Sequence, residues 1–138
     1  MIHDKKILRL IDANANRLIE GLRVCEEIMR FIAADKQLTL KFKQSRHRAS
    51  SLIKDWEIKK KSLLGSRDSL KDVGRPSIVN ELVRKDHKNI FFANIQRAKE
   101  SSRVLEEFSK LNRKKISEGF KSLRYNLYQF EKQANSRL

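Results

Sequence analysis

The chain has 138 residues, 39% apolar and 36% charged, with a formal net charge of +15. That length suits one domain with a modest core, and the periodic placement of the apolar residues excludes a disordered chain. One proline and four glycines exclude a hairpin-rich β fold and favour long uninterrupted helices.

In chain order, the first predicted helix covers residues 7–33. Leu10, Asn14, Leu18, Gly21, Cys25, Ile28 and Ile32 share one face when residues are placed at 100° intervals. Asp35 is placed to cap a second helix carrying Leu38, Phe42, Ala49, Leu52, Ile53 and Trp56 on one stripe and ending near Gly65. The non-periodic stretch "GSRDSLKDVGRPS" follows, and Pro76 suits the first turn of a short helix over residues 77–84. Asp86 is placed to cap a third long helix, residues 88–111. A fourth runs over residues 113–134 with Phe120, Leu123, Leu127, Phe130 and Ala134 inward.

The stretch "ANANRLIEGLRVCEEIMRF" from Ala13 returns eighty residues later as "ANIQRAKESSRVLEEFSKL". Polar residues repeat at identical offsets: Asn14 with Asn94, Arg17 with Arg97, Glu20 with Glu100, Arg23 with Arg103, and Glu26–Glu27 with Glu106–Glu107. The second helices align with a slightly shorter offset, Arg46 with Arg124 and His47 with Tyr125. The expected fold is therefore all-α: a four-helix bundle of two repeated helical hairpins joined by an irregular linker with a short helix. One domain would span residues 1–138, with repeat one at 7–64, the linker at 65–87 and repeat two at 88–135.

Two readings of the repeated polar residues stand open. In one they are structural: a buried Asn fixes helix pairing, Arg17 pairs with Glu20, and Arg23–Glu27 and Arg103–Glu107 form i,i+4 pairs. In the other a polar pocket lies between the hairpins, where Asn14 and Asn94 read ligand edges and arginines bind phosphate. The linker also carries two readings. Arg67, Asp68 and Asp72 suit a nucleotide with Mg²⁺, and the two aspartates also suit ordinary Asx turns.

The charge fits a polyanionic partner: nucleic acid, an anionic membrane or phosphorylated small molecules. Lysine runs such as Lys59–Lys60–Lys61 also fit a plain solvated face. Cys25 stands alone and no Cys/His cluster has metal-ligand spacing, so a disulfide framework is excluded. No apolar run approaches the ~18 residues of a membrane span, and the start lacks a signal-peptide core, so the chain reads as cytoplasmic. The nucleotide signatures G-x-x-x-x-G-K-[ST] and G-x-G-x-x-G do not occur.

Five ordered segments carry a resemblance: "DANANRLIEGLRVCEEIMRF", "FKQSRHR", "SRDSLKDVG", "ANIQRAKESSRVLEEFSKL" and "FKSLRYNLYQFEK". Together they resemble the helical hydroxymethylpyrimidine-phosphate kinase family of bacterial thiamine biosynthesis. That domain is often fused ahead of thiamine-phosphate synthase and is unrelated to the ribokinase-like enzyme. The resemblance covers residues 7–132 and is loose over residues 76–89. It implies ATP-dependent phosphorylation of 4-amino-5-hydroxymethyl-2-methylpyrimidine phosphate to the diphosphate; the Mg²⁺ expected beside ATP rests on the linker aspartates.

Carried onto this sequence, the family motifs fall on Asn14, Arg17, Glu20, Arg46, Ser66, Arg67, Asp68, Asp72, Gly74, Asn94, Arg97, Glu100 and Arg124. Asp68 and Asp72 are the expected metal ligands, and Arg67 is expected at the transferring phosphate. Asn14 and Asn94 would meet ligand edges, and Arg17, Arg46, Arg97 and Arg124 would bind phosphates. Thiamine-phosphate synthase is a candidate partner, a homodimer is left open, and neither a specific nucleic acid nor a membrane is expected. Two other function classes compete: a basic helical nucleic-acid-binding module and a non-catalytic domain associated with the synthase.

Overall fold

A computed structural model describes residues 2–138. Among them are five α-helices and no strand: α1 (Lys5–Phe31), α2 (Lys36–Asp55), α3 (Lys60–Ser66), α4 (His87–Ser109) and α5 (Lys114–Asn135). Two 3-10 turns, Ser69–Lys71 and Val79–Leu82, lie in the linker between α3 and α4. Aspartates start three of the long helices. Asp4, Asp35 and Asp86 accept from the backbone N–H of Lys6, Leu38 and Asn89. Each cap satisfies an N–H that the helix itself leaves without a partner, worth ~1 kcal/mol.

α1 is the central element. It packs against α4, α2 and α3, while α5 packs against α4 and α2. Leu18, Leu22, Met29, Phe42, Phe91, Ile95, Leu105, Phe120 and Leu127 are fully buried between them. Phe42 sits edge-on to Phe91 and Phe130, with centroids 5.7 and 6.0 Å away. Cys25 is part of this core, and burial pushes its thiol far up from the usual range, which makes it inert. Gly21 lets α1 and α4 approach: a Cβ there would lie 2.9 Å from the Asn94 carbonyl oxygen. No helix among the described residues is long and apolar enough to cross a membrane.

Two expected elements are corrected. The second helix does not run to Gly65 but ends at Asp55. Trp56 is buried and donates its Nε1–H to Asn112 Oδ1 at 2.9 Å. Glu57 then adopts a left-handed φ of 63° and pairs with Arg113 at 3.1 Å. These contacts tie the end of α2 to the α4–α5 connection, and α3 restarts the helix separately, burying Leu63 beside α1. The helix expected over residues 77–84 is only the 3-10 turn Val79–Leu82. All of residues 69–89 are exposed, so no packing offsets the entropy of ordering a helix there.

Candidate functional site

The repeated arginines divide by what they touch. Arg46 on α2 donates to Glu26 on α1 at 3.1 Å, and Arg124 on α5 donates to Glu106 on α4 at 3.0 Å. Both glutamates are only 3% exposed, so these are helix-to-helix ion pairs at equivalent places in the two repeats. Burial pulls the Arg124 guanidinium down, yet its bonds to Glu106 hold it above its ordinary value. Arg23 and Arg103 pair with Glu27 and Glu107 at 3.1 and 3.2 Å, the expected i,i+4 contacts. Arg17 and Arg97 differ. Neither has a carboxylate partner within ion-pair distance among the described residues, and the Arg17–Glu20 pair expected from sequence does not form.

Arg17 and Arg97 line one cleft on the outer seam between α1 and α4, with a volume of about 360 Å³. Asn14 of α1, Glu100 and Ser101 of α4, and Gly74 of the linker complete much of its wall. The Asn14 amide is fixed because its Nδ2 donates back to the Leu10 carbonyl at 2.9 Å. This directs Nδ2 into its own helix and leaves Oδ1 as the acceptor. Asn94 makes the same back-bond, to Ile90 O at 2.8 Å, but does not line this cleft. Its backbone carbonyl instead meets Gly21 at the helix contact.

A second cleft of about 470 Å³ adjoins the first along α1, lined by Arg9, Asp12, Asn16, Glu20, Arg67, Asp68 and Asp72 among others. The clefts are neighbours because Asn16 and Arg17 are adjacent on α1, and the Gly74 N–H donates to Asp72 Oδ1 at 2.9 Å. Two bonds pin the linker here. Arg67 grips the buried carboxylate of Asp12 through both Nε and Nη2, the latter at 3.0 Å from Oδ1. Hydrogen bonding to Asp12 holds the Arg67 guanidinium above its ordinary value. Arg9 Nη2 donates to the Asp68 carbonyl at 2.7 Å.

Asp68 Oδ1 caps the first 3-10 turn by accepting from Lys71 N at 3.2 Å, and Asp72 forms the Gly74 turn just described. Each aspartate therefore keeps its Oδ2 free of these bonds. Among the described residues no three His, Cys, Asp or Glu side chains cluster closely enough to enclose a metal. The donor set fits Mg²⁺ only in its usual sharing mode, one or two carboxylates with substrate phosphates and water supplying the rest.

The remaining expected site residues are dispersed. Ser66 is buried and its Oγ donates to Leu63 O at 2.6 Å, closing the end of α3. Arg46 and Arg124 are held by Glu26 and Glu106. Glu20 lines the carboxylate cleft and Glu100 the arginine cleft, where Glu100 also accepts from Gln96 at 2.9 Å. Asp12 and Arg9 are additions that the repeat conceals, since their counterparts at an offset of eighty are Phe92 and Asn89. The sequence signal is the series Asp12, Asn16, Glu20, spaced at i, i+4 and i+8 on one helix face.

Residues 9–133 match the family model described as the ThiD2 family. The chain is 37% identical over 125 residues to a thiamine-phosphate synthase of Rhodopirellula baltica, covering 90% of this chain and 33% of that protein. It is 36% identical over 126 residues to the thiamine-phosphate synthases of Synechocystis sp. and Nostoc punctiforme, covering 91% of this chain and 35% and 34% of theirs. The chain thus spans about a third of the length of these curated relatives. No solved structure is significantly similar to it.

Proposed function

The chain belongs to the ThiD2 family, and from that premise we propose that it is a kinase of thiamine biosynthesis. It would convert 4-amino-5-hydroxymethyl-2-methylpyrimidine phosphate to the diphosphate with ATP. The observation that carries this reading is the cleft shared by Arg17 and Arg97, the two repeated arginines without carboxylate partners. A phosphorylated acceptor and ATP repel each other, and two free guanidiniums from facing helices offset that repulsion.

In the proposed reaction an oxygen of the acceptor's phosphate attacks the γ-phosphorus of ATP. The bond from γ-phosphorus to the ADP oxygen breaks, and the acceptor leaves as the diphosphate. The attacking oxygen is already anionic, so no general base is needed, and positioning with charge neutralisation dominates. Arg17 and Arg97 would hold the meeting phosphates. Asn14 Oδ1 would accept from the exocyclic amine of the pyrimidine. Asp68 and Asp72 would hold the Mg²⁺ that travels with ATP and neutralises its phosphates. Arg67, released from Asp12, would reach the transferring phosphate, and Gly74 would sit in the wall beside Arg17 and Arg97. The linker's exposed Leu70, Val73, Val79 and Leu82 would fold over the substrates and exclude water.

The matching ion pairs Glu26–Arg46 and Glu106–Arg124 support a four-helix bundle that arose by duplication of one hairpin. The reaction requires neither nucleic acid nor membrane and suits the ATP-rich cytoplasm. Two observations favour a second reading. The relatives named thiamine-phosphate synthase are about three times as long, and Val73 is 100% exposed. A non-catalytic domain that docks its linker on a synthase would account for both.

The test is incubation of the full chain with ATP, Mg²⁺ and the pyrimidine monophosphate, with product analysis. Stoichiometric pyrimidine diphosphate and ADP are expected. ATP and monophosphate recovered intact would overturn the kinase reading in favour of docking.

A further inference from the structure

A third cleft, of about 340 Å³, lies on the other side of α4, lined by Gln96, Lys99, Glu100, Arg103, Arg124 and Tyr128. Glu100 is common to this cleft and the Arg17–Arg97 cleft, so the two adjoin. Three cations line it, and all three are engaged. Lys99 pairs with Glu131 at 2.8 Å, Arg124 with Glu106 at 3.0 Å, and Arg103 with Glu106 and Glu107, both at 3.2 Å. The cleft has no free positive charge for a phosphate.

What it does present is an aromatic surface. Tyr128 is 46% exposed and sits edge-on to Tyr125 at 6.0 Å. Lys99 Nζ stands over the Tyr128 ring, 4.8 Å from its centroid, and Arg124 Cζ stands over it at 6.0 Å, so a stacked base would displace or slide beside these cations. The Gln96 amide offers its donor to Glu100 and keeps its acceptor available. The repeat sharpens the point. The residues of hairpin one that correspond to Lys99 and Tyr128 are Ile19 and Ser50, so the aromatic wall belongs to hairpin two alone. A flat π surface with one amide at its edge suits a planar nitrogenous ring.

We infer that the Tyr128 cleft takes the nucleobase of the nucleoside triphosphate, stacked on Tyr128 with its edge toward Gln96. The phosphates then run past Glu100 to Arg17 and Arg97. This inference rests on the kinase reading above. It divides labour by charge: paired cations frame a neutral ring, and free cations take the phosphates.

The test is calorimetric titration of the full chain with ATP and with inorganic tripolyphosphate, both with Mg²⁺, for the wild type, Tyr128→Ala and Tyr128→Phe. Because Tyr128 is half-exposed, its truncation opens no core cavity. Loss of one base–aromatic stack predicts ATP binding about tenfold weaker in Tyr128→Ala. Tyr128→Phe keeps the ring and should stay within about twofold of wild type. Tripolyphosphate binding should be the same in all three. Equal ATP affinity in the wild type and Tyr128→Ala would overturn the ring site and leave the kinase reading standing. An equal loss of tripolyphosphate binding would also overturn it, because Tyr128 would then act by shaping the surface. A wild type that binds no ATP overturns the kinase reading, and the nucleobase site with it.

Discussion

Arg46 and Arg17 are both repeated arginines, and their surroundings are opposite. Arg46 and its counterpart Arg124 cross between helices to carboxylates that are almost completely buried. Arg17 and its counterpart Arg97 share one cleft and reach no carboxylate within ion-pair distance among the described residues, although Glu81 and Glu100 line the same wall. The sequence repeat contains both sets, so repetition alone does not separate structure from function. The partner does: a guanidinium held by Glu26 or Glu106 stabilises a helix pair, and one held by nothing is available to a ligand.

The largest expected effect lies on the structural side of that contrast. Glu106→Gln strands the Arg124 guanidinium among buried groups, and losing one member of a buried pair costs about 3–5 kcal/mol. Urea unfolding should show the loss as a lower midpoint with unchanged slope. A loss under ~1 kcal/mol would mean that Arg124 finds water or a ligand instead, and the contrast with Arg97 would collapse.

On the functional side, Asp68→Asn should cut turnover about 10²–10³-fold, the usual cost of removing one charged interaction with a transferring phosphoryl group. Helical circular dichroism should not change, because an amide oxygen still accepts from Lys71 N and the residue lies outside the helices. Near-normal turnover would remove Asp68 from the machinery and leave Asp72 as the metal ligand.

Gly21→Ala probes the α1–α4 contact along whose seam the Arg17–Arg97 cleft lies. Its Cβ would lie 2.9 Å from a backbone oxygen of α4, so the helices must part slightly. A stability loss of about 1–3 kcal/mol is expected, read by thermal unfolding. An unchanged melting temperature would show that α1 and α4 have slack at this point.

The smallest effect should come from Arg23→Ala. Its pair with Glu27 is on the surface, with side chains 53% and 38% exposed. Such i,i+4 pairs contribute under ~0.5 kcal/mol. A larger loss in urea would show that the second, longer contact to Glu26 at 3.8 Å matters to the buried pair.

The helix starts were legible because Asp35 and Asp86 precede apolar-periodic runs, and local chemistry is enough to place a cap. The end of α2 was not legible. It breaks at Glu57 without glycine or proline, because Trp56 is drawn to Asn112, a residue 56 positions away. The same limit applies to the site. That Asn14 and Arg17 lie close on one helix follows from periodicity, whereas the cleft they line needs α4 and the linker beside them. That Arg46 and Arg124 are already occupied depends on a neighbouring helix, which periodicity does not see. Asp12 was concealed for a different reason: attention to repeated residues passes over a carboxylate whose counterpart is Phe92. Asn94 repeats Asn14 even in its hydrogen bond, yet the linker covers only one side of the α1–α4 seam, and the symmetry of the sequence does not reveal which.

The most direct test of the central claim is the affinity of the full chain for the pyrimidine monophosphate, measured by calorimetry for the wild type, Arg17→Ala/Arg97→Ala and Arg23→Ala. The free arginine pair predicts binding at least ~100-fold weaker in the double variant, from two lost charge-assisted contacts. The unfolding midpoint should stay put, since neither arginine holds a buried partner, and Arg23→Ala should bind like the wild type. Equal affinity in the double variant and the wild type would contradict the account, because the unpaired arginines would then be solvated surface and not a phosphate site.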